Sequence, residues 1–115
     1  MSYWPSAYFK REEFACKCGC GFDTVDFALV SALEKIRLRY GQPITITSGC
    51  RCEAHNKAVG GSQNSQHLKG RAADIVVKNV HPYEVAETAE ILEVGGLGNY
   101  PTFTHIDTRN TRARW

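Results

Sequence analysis

The chain has no long apolar run. Nowhere in its 115 residues do about 20 apolar residues follow one another, so no transmembrane helix is possible and no membrane partner is expected. The opening MSYWPSAYFKREEF also lacks the apolar core of a signal peptide, so it encodes no export, and the chain is expected to be cytoplasmic as made. Charge of one sign is scarce: 14 Lys and Arg stand against 12 Asp and Glu, for a formal net charge of +2. That argues against a nucleic-acid partner. The basic cluster RNTRARW at the end of the chain reads as a short solvated tail. There are no repeats and no low-complexity linker, and the length suits one domain, expected over 1–115, with a modest core.

Cysteine is abundant by contrast. Five occur in two tight groups, CKCGC (Cys16, Cys18, Cys20) and CRC (Cys50, Cys52). An odd count leaves at least one thiol unpaired in a monomer that uses only disulfides. A C-x-C pair differs from the C-x-x-C of a zinc hairpin. A disulfide between the groups, or reduced thiols packed in the core, is therefore preferred to a second metal.

Residues 1–22 read as an irregular arm anchored by Tyr3, Trp4, Tyr8, Phe9 and Phe14. In DTVDFALVSALEKIRLRYG, Val25, Leu29, Leu33 and Ile36 recur at helical spacing, with Asp23 or Thr24 as cap and Gly41 as stop. ITITS alternates as a strand does. A short helix is expected near 52–59, a buried strand at AADIVV (72–77), and a second long helix opening at Pro82 and ended by Gly95-Gly96. GLGNY and FTHIDTR read as two further extended runs around Pro101. This order predicts an α+β fold, helices packed on a small, mostly antiparallel sheet.

Within SQHLKGRAADIVV, His67 and Asp74 flank Gly70, and His105 lies far along the chain in THIDTR. Two imidazoles and a carboxylate suit zinc, and three protein ligands leave the open fourth position of a catalytic site. On a strand through 105–109, His105, Asp107 and Arg109 share one face, which fits a site floor better than a core. His55 and His81 read as surface or hydrogen-bonded positions, His81 near a helix start. Glu90 and Glu93 are expected to face solvent.

The segment S-Q-H-L-K-G-R-A-A-D resembles the S-x-H-x-x-G-x-A-x-D motif of the M15 family, the zinc D-Ala-D-Ala carboxypeptidases and related peptidoglycan peptidases. SGCR (48–51), HNKAVGG and the late HID extend the resemblance over most of 14–109, toward a short branch found in phage and bacterial genomes. It implies a zinc peptidase cutting peptidoglycan stem peptides through a zinc-activated water, at a D-Ala-D-Ala or an L-Ala-D-Glu bond. It implies the small α+β fold shared with the Hedgehog signalling domain. It implies His67, Asp74 and His105 as zinc ligands, Arg51 binding substrate or the oxyanion, Ser65 holding substrate at the site edge, and a turn at Gly70. A monomer is expected, and release to the cell wall from a phage-encoded gene would fit the lack of an export signal.

Many M15 members carry a general base three residues before the last ligand, where this chain has Thr102. Asp107 is the nearest same-face acid and is assigned as base or as the group orienting the water. Its other reading is a hydrogen bond to a ligand histidine or a pair with Arg109. Arg109, if free of Asp107, would clamp a substrate carboxylate. The main alternative is a zinc-containing binding or structural module of the same fold without peptidase activity.

Overall fold

A computed structural model describes residues 4–115. Three α-helices, α1 (Phe27–Tyr40), α2 (Glu53–Ala58) and α3 (Pro82–Ile91), accompany five strands. The strands are β1 (Ile44–Ser48), β2 (Ala72–Val77), β3 (Gly96–Asn99), β4 (Thr104–Asp107) and β5 (Ala113–Arg114). They form one sheet in the order β1-β2-β4-β3-β5, antiparallel except for the parallel pair β3–β5. The fold is α+β, as the element order predicts.

Period-two alternation splits the sheet into two unlike faces. Ile44 and Ile46 of β1, Ala73, Ile75 and Val77 of β2, Leu97 of β3 and Ile106 of β4 join one buried apolar cluster. Leu29, Val30, Leu33 and Ile36 of α1 and Val85, Ala86 and Ala89 of α3 belong to the same cluster. The intervening residues face the other way. Pairing sets Asp74 opposite His105 and Ala72 opposite Asp107, so the acid beside an apolar run is simply on the strand's second face.

Helix α1 starts two or three residues later than expected. Asp26 is its cap, accepting from Ala28 N, and Gly41 ends it in a left-handed conformation (φ 62°). Asp23 and Thr24 lie upstream, and Val25 is buried before the helix begins. Helix α3 opens on Pro82 with His81 as cap, its Nδ1 accepting from Tyr83 N. It ends at Ile91 rather than at Gly95-Gly96, because Glu93 turns to φ 58° and breaks the helical path.

The arm packs as expected through Trp4, Phe9 and Phe14, while Tyr8 is exposed and Tyr3 lies outside the described residues. Trp4 Nε1 donates to Phe9 O at 2.6 Å, and the Trp4 and Phe14 rings meet edge-on at 5.8 Å. Cys50 N donates to Phe14 O, which ties the arm to the loop after β1.

The basic tail is solvated only in part: Asn110, Thr111 and Arg112 are exposed, while the residues after them are tied to the sheet. Ala113–Arg114 pairs with β3, and Arg114 donates to Val94 O and Gly95 O and pairs with Glu90 at 2.6 Å. Arg112 also meets Glu90. Backbone pairing plus a shared carboxylate holds these cations against the sheet edge.

No disulfide links the five cysteines, and of the two expected arrangements the structure has unpaired sulfurs, packed in the core at Cys50. Cys50 is packed in the core, and burial pushes its thiol up to about 11, keeping it neutral.

Candidate active site

The polar face of the sheet supplies two of the three expected ligands, and a tight turn supplies the third. A 3-10 turn, Gln66–Lys69, presents His67. Ser65 caps that turn, its Oγ accepting from His67 N at 3.2 Å. Gly70 ends it at φ 68°, where a side chain would be strained and would overlap Thr24 O. The chain then enters β2, which points Asp74 at the same space, and β4 brings His105 alongside.

Asp74 Oδ1 lies 3.3 Å from His67 Nε2 and 2.9 Å from His105 Nδ1. The two rings meet at 75° with centroids 5.2 Å apart. All three residues are buried. The outer ring nitrogens are already engaged. His67 Nδ1 is 2.6 Å from Gly49 O, which makes it the protonated nitrogen and leaves Nε2 with its lone pair facing Asp74. His105 Nε2 is 2.8 Å from Asp107 Oδ2.

This donor set fits zinc. Ligands held at about 2.0–2.2 Å in a tetrahedron stand roughly 3.3–3.6 Å apart; the Asp74–His67 separation of 3.3 Å falls in that range and the Asp74–His105 separation of 2.9 Å is shorter. The three donor atoms lie within 4.8 Å of one another. A carbonyl behind one imidazole and a carboxylate behind the other are the supports that fix tautomer and orientation at metal sites.

Asp107 sits behind the ligands. It is 0% exposed, and both of its oxygens are occupied. Oδ1 accepts from Arg109 N and Nε, and Oδ2 accepts from Arg109 Nη2 at 2.7 Å and from His105. Gly96 on the neighbouring strand leaves the space for this carboxylate, since a Cβ there would overlap it. Arg109 is therefore paired with Asp107, and its guanidinium also lies 5.1 Å from the Trp115 ring.

Arg51 is held by three side chains. Nε donates to Ser48 Oγ, Nη1 to Asn56 Oδ1 and Nη2 to Asp74 Oδ2 at 3.3 Å. Its backbone N donates to His67 O, so the loop carrying Arg51 and the turn carrying His67 are fastened together.

These contacts set the charges. Burial disfavours the Asp74 carboxylate, but the His105 and His67 imidazoles beside it outweigh burial and hold the carboxyl below its ordinary range. Burial works against the His105 imidazolium, yet Asp107 and Asp74 on its two nitrogens hold its pKa above the ordinary value. Asp107, despite burial, is kept ionised by His105 and Arg109.

The ligand atoms open on a cleft of about 530 Å³, lined among others by Arg51, Ser65, His67, Asp74, His105 and Arg109. Six of the seven expected site residues line it, and Asp107 does not. One wall was missed from the sequence. The Tyr100 and Phe103 rings stack at 4.3 Å, and Trp115 packs 4.9 Å from His105 while donating to Tyr100 Oη at 2.7 Å. Aromatics flanking a polar strand, outside any apolar periodicity, are the signal that marks them.

Residues 7–107 match the family model described as Peptidase M15. The chain belongs to the Peptidase M15 family. Among curated proteins it is similar to a probable peptidoglycan L,D-endopeptidase MepK of Haemophilus influenzae, 44% identical over 55 residues. That alignment covers 46% of this chain and 30% of the relative. It is also 29% identical over 98 residues to the peptidoglycan L,D-endopeptidase MepK of Escherichia coli K12, covering 77% of this chain and 54% of the relative. The chain thus spans about half or less of the length of these M15 relatives.

Proposed function

We propose that this M15 peptidase uses zinc to hydrolyse an internal L,D-peptide bond of peptidoglycan stem peptides, of which L-Ala-D-Glu is one. The convergence of His67 Nε2, Asp74 Oδ1 and His105 Nδ1 at the floor of an open cleft carries this reading. Zinc held by these residues would supply Lewis acidity, lowering the pKa of water and polarising a carbonyl.

The rest of the chemistry falls to the protein. Arg51, beside Asp74 in the cleft, stabilises the negative charge that develops on the carbonyl oxygen. Asp107 acts through His105, accepting its Nε2 proton and fixing Nδ1 toward the cleft. Arg109 fixes Asp107 in turn through two parallel N–H···O contacts. Tyr100, Phe103 and Trp115 form an apolar wall against which a peptide lies, while Ser62, Asn64 and Ser65 offer polar groups along another edge.

An internal bond is preferred to a terminal D-Ala for two reasons. The relatives are named endopeptidases. A carboxypeptidase also needs a cation for the terminal carboxylate, and of the two arginines lining the cleft Arg109 is held by Asp107 while Arg51 serves the developing oxyanion.

The second reading, a zinc-bearing module that holds cell-wall peptides without cutting them, has one observation in its favour. Asp74 is the only carboxylate among the cleft's lining residues. Release of new amines from purified peptidoglycan decides between the two. Wild-type protein is expected to release amines at internal bonds, and His67→Ala is expected to release none. A zinc-loaded wild type that binds the wall yet releases no amine establishes the binding module, and free D-Ala as the product establishes a carboxypeptidase.

A further inference from the structure

Four of the five cysteines gather at a place the proposed peptidase chemistry does not use. Cys16 Sγ lies 3.4 Å from Cys18 Sγ and 3.9 Å from Cys52 Sγ, and Cys18 Sγ is 3.6 Å from Cys52 Sγ. Cys20 completes the group, with all four sulfurs within 4.8 Å of one another. A disulfide requires sulfurs about 2.05 Å apart. A tetrahedral zinc with Zn–S bonds of about 2.3 Å sets its sulfurs roughly 3.8 Å apart. The observed separations match the second arrangement and not the first.

The backbone around the sulfurs points to the same chemistry. Cys52 N donates to Cys16 Sγ, and His55 N, at the start of α2, donates to Cys52 Sγ, both at 3.4 Å. Amide donors aimed at sulfur are the support a metal-bound thiolate needs. Gly19 N donates to Cys16 O and Cys16 N to Phe22 O, which folds the short segment so that three thiols face one point. Two of these cysteines are exposed and pack against no core, so hydrophobic burial does not explain their convergence.

We propose that Cys16, Cys18, Cys20 and Cys52 bind a second, structural zinc ion. The all-sulfur tetrahedral set selects a soft metal and is closed to substrate, unlike the His67–Asp74–His105 group. Its effect is mechanical. It joins the arm to the start of α2 at the residue after Arg51, two positions beyond the Cys50 amide that already bonds Phe14 O. The loop between those anchors carries Arg51, and Gly49 just before it accepts from His67. The thiolate site thereby clamps the loop that orients one catalytic-site imidazole and the cleft's Arg51.

The test uses the protein purified anaerobically, without reductant or chelator. Wild type is expected to carry two zinc equivalents. The His67→Ala/His105→Ala variant is expected to carry one. Replacement of zinc by cobalt in that variant is expected to give the near-ultraviolet charge-transfer bands of cobalt–thiolate bonding. Cys18→Ser/Cys20→Ser is expected to remove those bands. If a histidine or cysteine variant does not fold, the cobalt spectrum and intact mass of wild type decide alone. Thiolate bands with an intact mass of five free thiols support the site. Cobalt-loaded wild type without thiolate bands, or a mass showing disulfides among these cysteines in freshly isolated protein, overturns it. Neither result depends on peptidase activity, so failure of this site and failure of the proposed function are read separately.

Discussion

Asp107 Oδ2 stands 2.8 Å from His105 Nε2, on the side of the imidazole away from Asp74. The two residues share one face of β4, and the ring lies between two carboxylates. One carboxylate belongs with the expected metal donors, and the other is fully buried and saturated by Arg109. This geometry separates two roles that the sequence leaves joined, orienting a ligand and accepting a proton from water.

Asp107→Asn distinguishes them. An amide in this position weakens the hold on His105 and leaves Arg109 without its charge partner. Loss of a supporting group of this kind lowers metal affinity or activity about 10–100-fold. The expected outcome is weaker zinc binding in a chelator competition, with turnover largely restored at saturating zinc. General bases contribute about 10²–10⁴-fold. A loss of that size persisting at full zinc occupancy would make Asp107 the base and remove the positioning role.

Gly96→Ala reaches the same carboxylate from the neighbouring strand. The added methyl overlaps Asp107, so Asp107 must move, and His105 with it. Overpacking of this kind costs about 1–3 kcal/mol of stability. The variant is expected to lose zinc affinity beyond what a stability loss of that size explains. Calorimetric unfolding and zinc titration of the folded protein test this, and unchanged affinity would show that Asp107 does not govern His105.

The opposite face of β4 should behave differently. Ile106 is fully buried between its two polar neighbours, and its side chain points into the apolar cluster. Ile106→Ala is expected to cost about 2–5 kcal/mol in denaturant unfolding. Zinc affinity of the folded fraction is expected to stay near wild type, because the neighbouring donors are set by the strand pairing and not by that side chain. A matched collapse of both properties would mean that the two faces are not independent.

The elements that show in the sequence are those with a local cause. AADIVV reads as a buried strand because it ends in the continuous β-branched run Ile75-Val76-Val77, and the structure forms β2 over the same residues. The turn at Gly70 is implied by the resemblance and is found at φ 68°, whereas the capping of that turn by Ser65 shows only in the structure. His105 is grouped with His67 and Asp74 by ligand chemistry and then by the resemblance, but nothing local in the sequence brings it to them, since their meeting depends on β2 pairing with β4 in one register. The cap of α1 falls on Asp26 and not on Asp23 or Thr24, because Val25 is drawn into the core and the segment before it stays extended. The tail hides because a two-residue strand has no periodicity, and its pairing is decided by the exposed edge of β3. The four-cysteine cluster hides for a similar reason. C-x-C spacing in a coil says nothing about which distant thiol comes to meet it.

Trp115 offers the sharpest test of how the cleft holds a peptide. Its ring lies against His105 and under the Arg109 guanidinium, and its Nε1 donates to Tyr100 Oη. None of its atoms belongs to the candidate ligand set, so Trp115→Ala is expected to leave zinc content unchanged. The loss of an aromatic contact surface, about 0.5–2 kcal/mol, corresponds to a rise in KM of roughly 2–30-fold on peptidoglycan fragments, with kcat near wild type. Trp115→Phe keeps a ring but removes the donor to Tyr100. If stacking against the peptide is what matters, this variant should recover most of the KM. If the bond to Tyr100 is what holds the wall in place, it should resemble alanine. A fall in kcat with KM unchanged would instead place Trp115 in the support of His105, and the aromatic wall would then belong to the catalytic floor rather than to substrate binding.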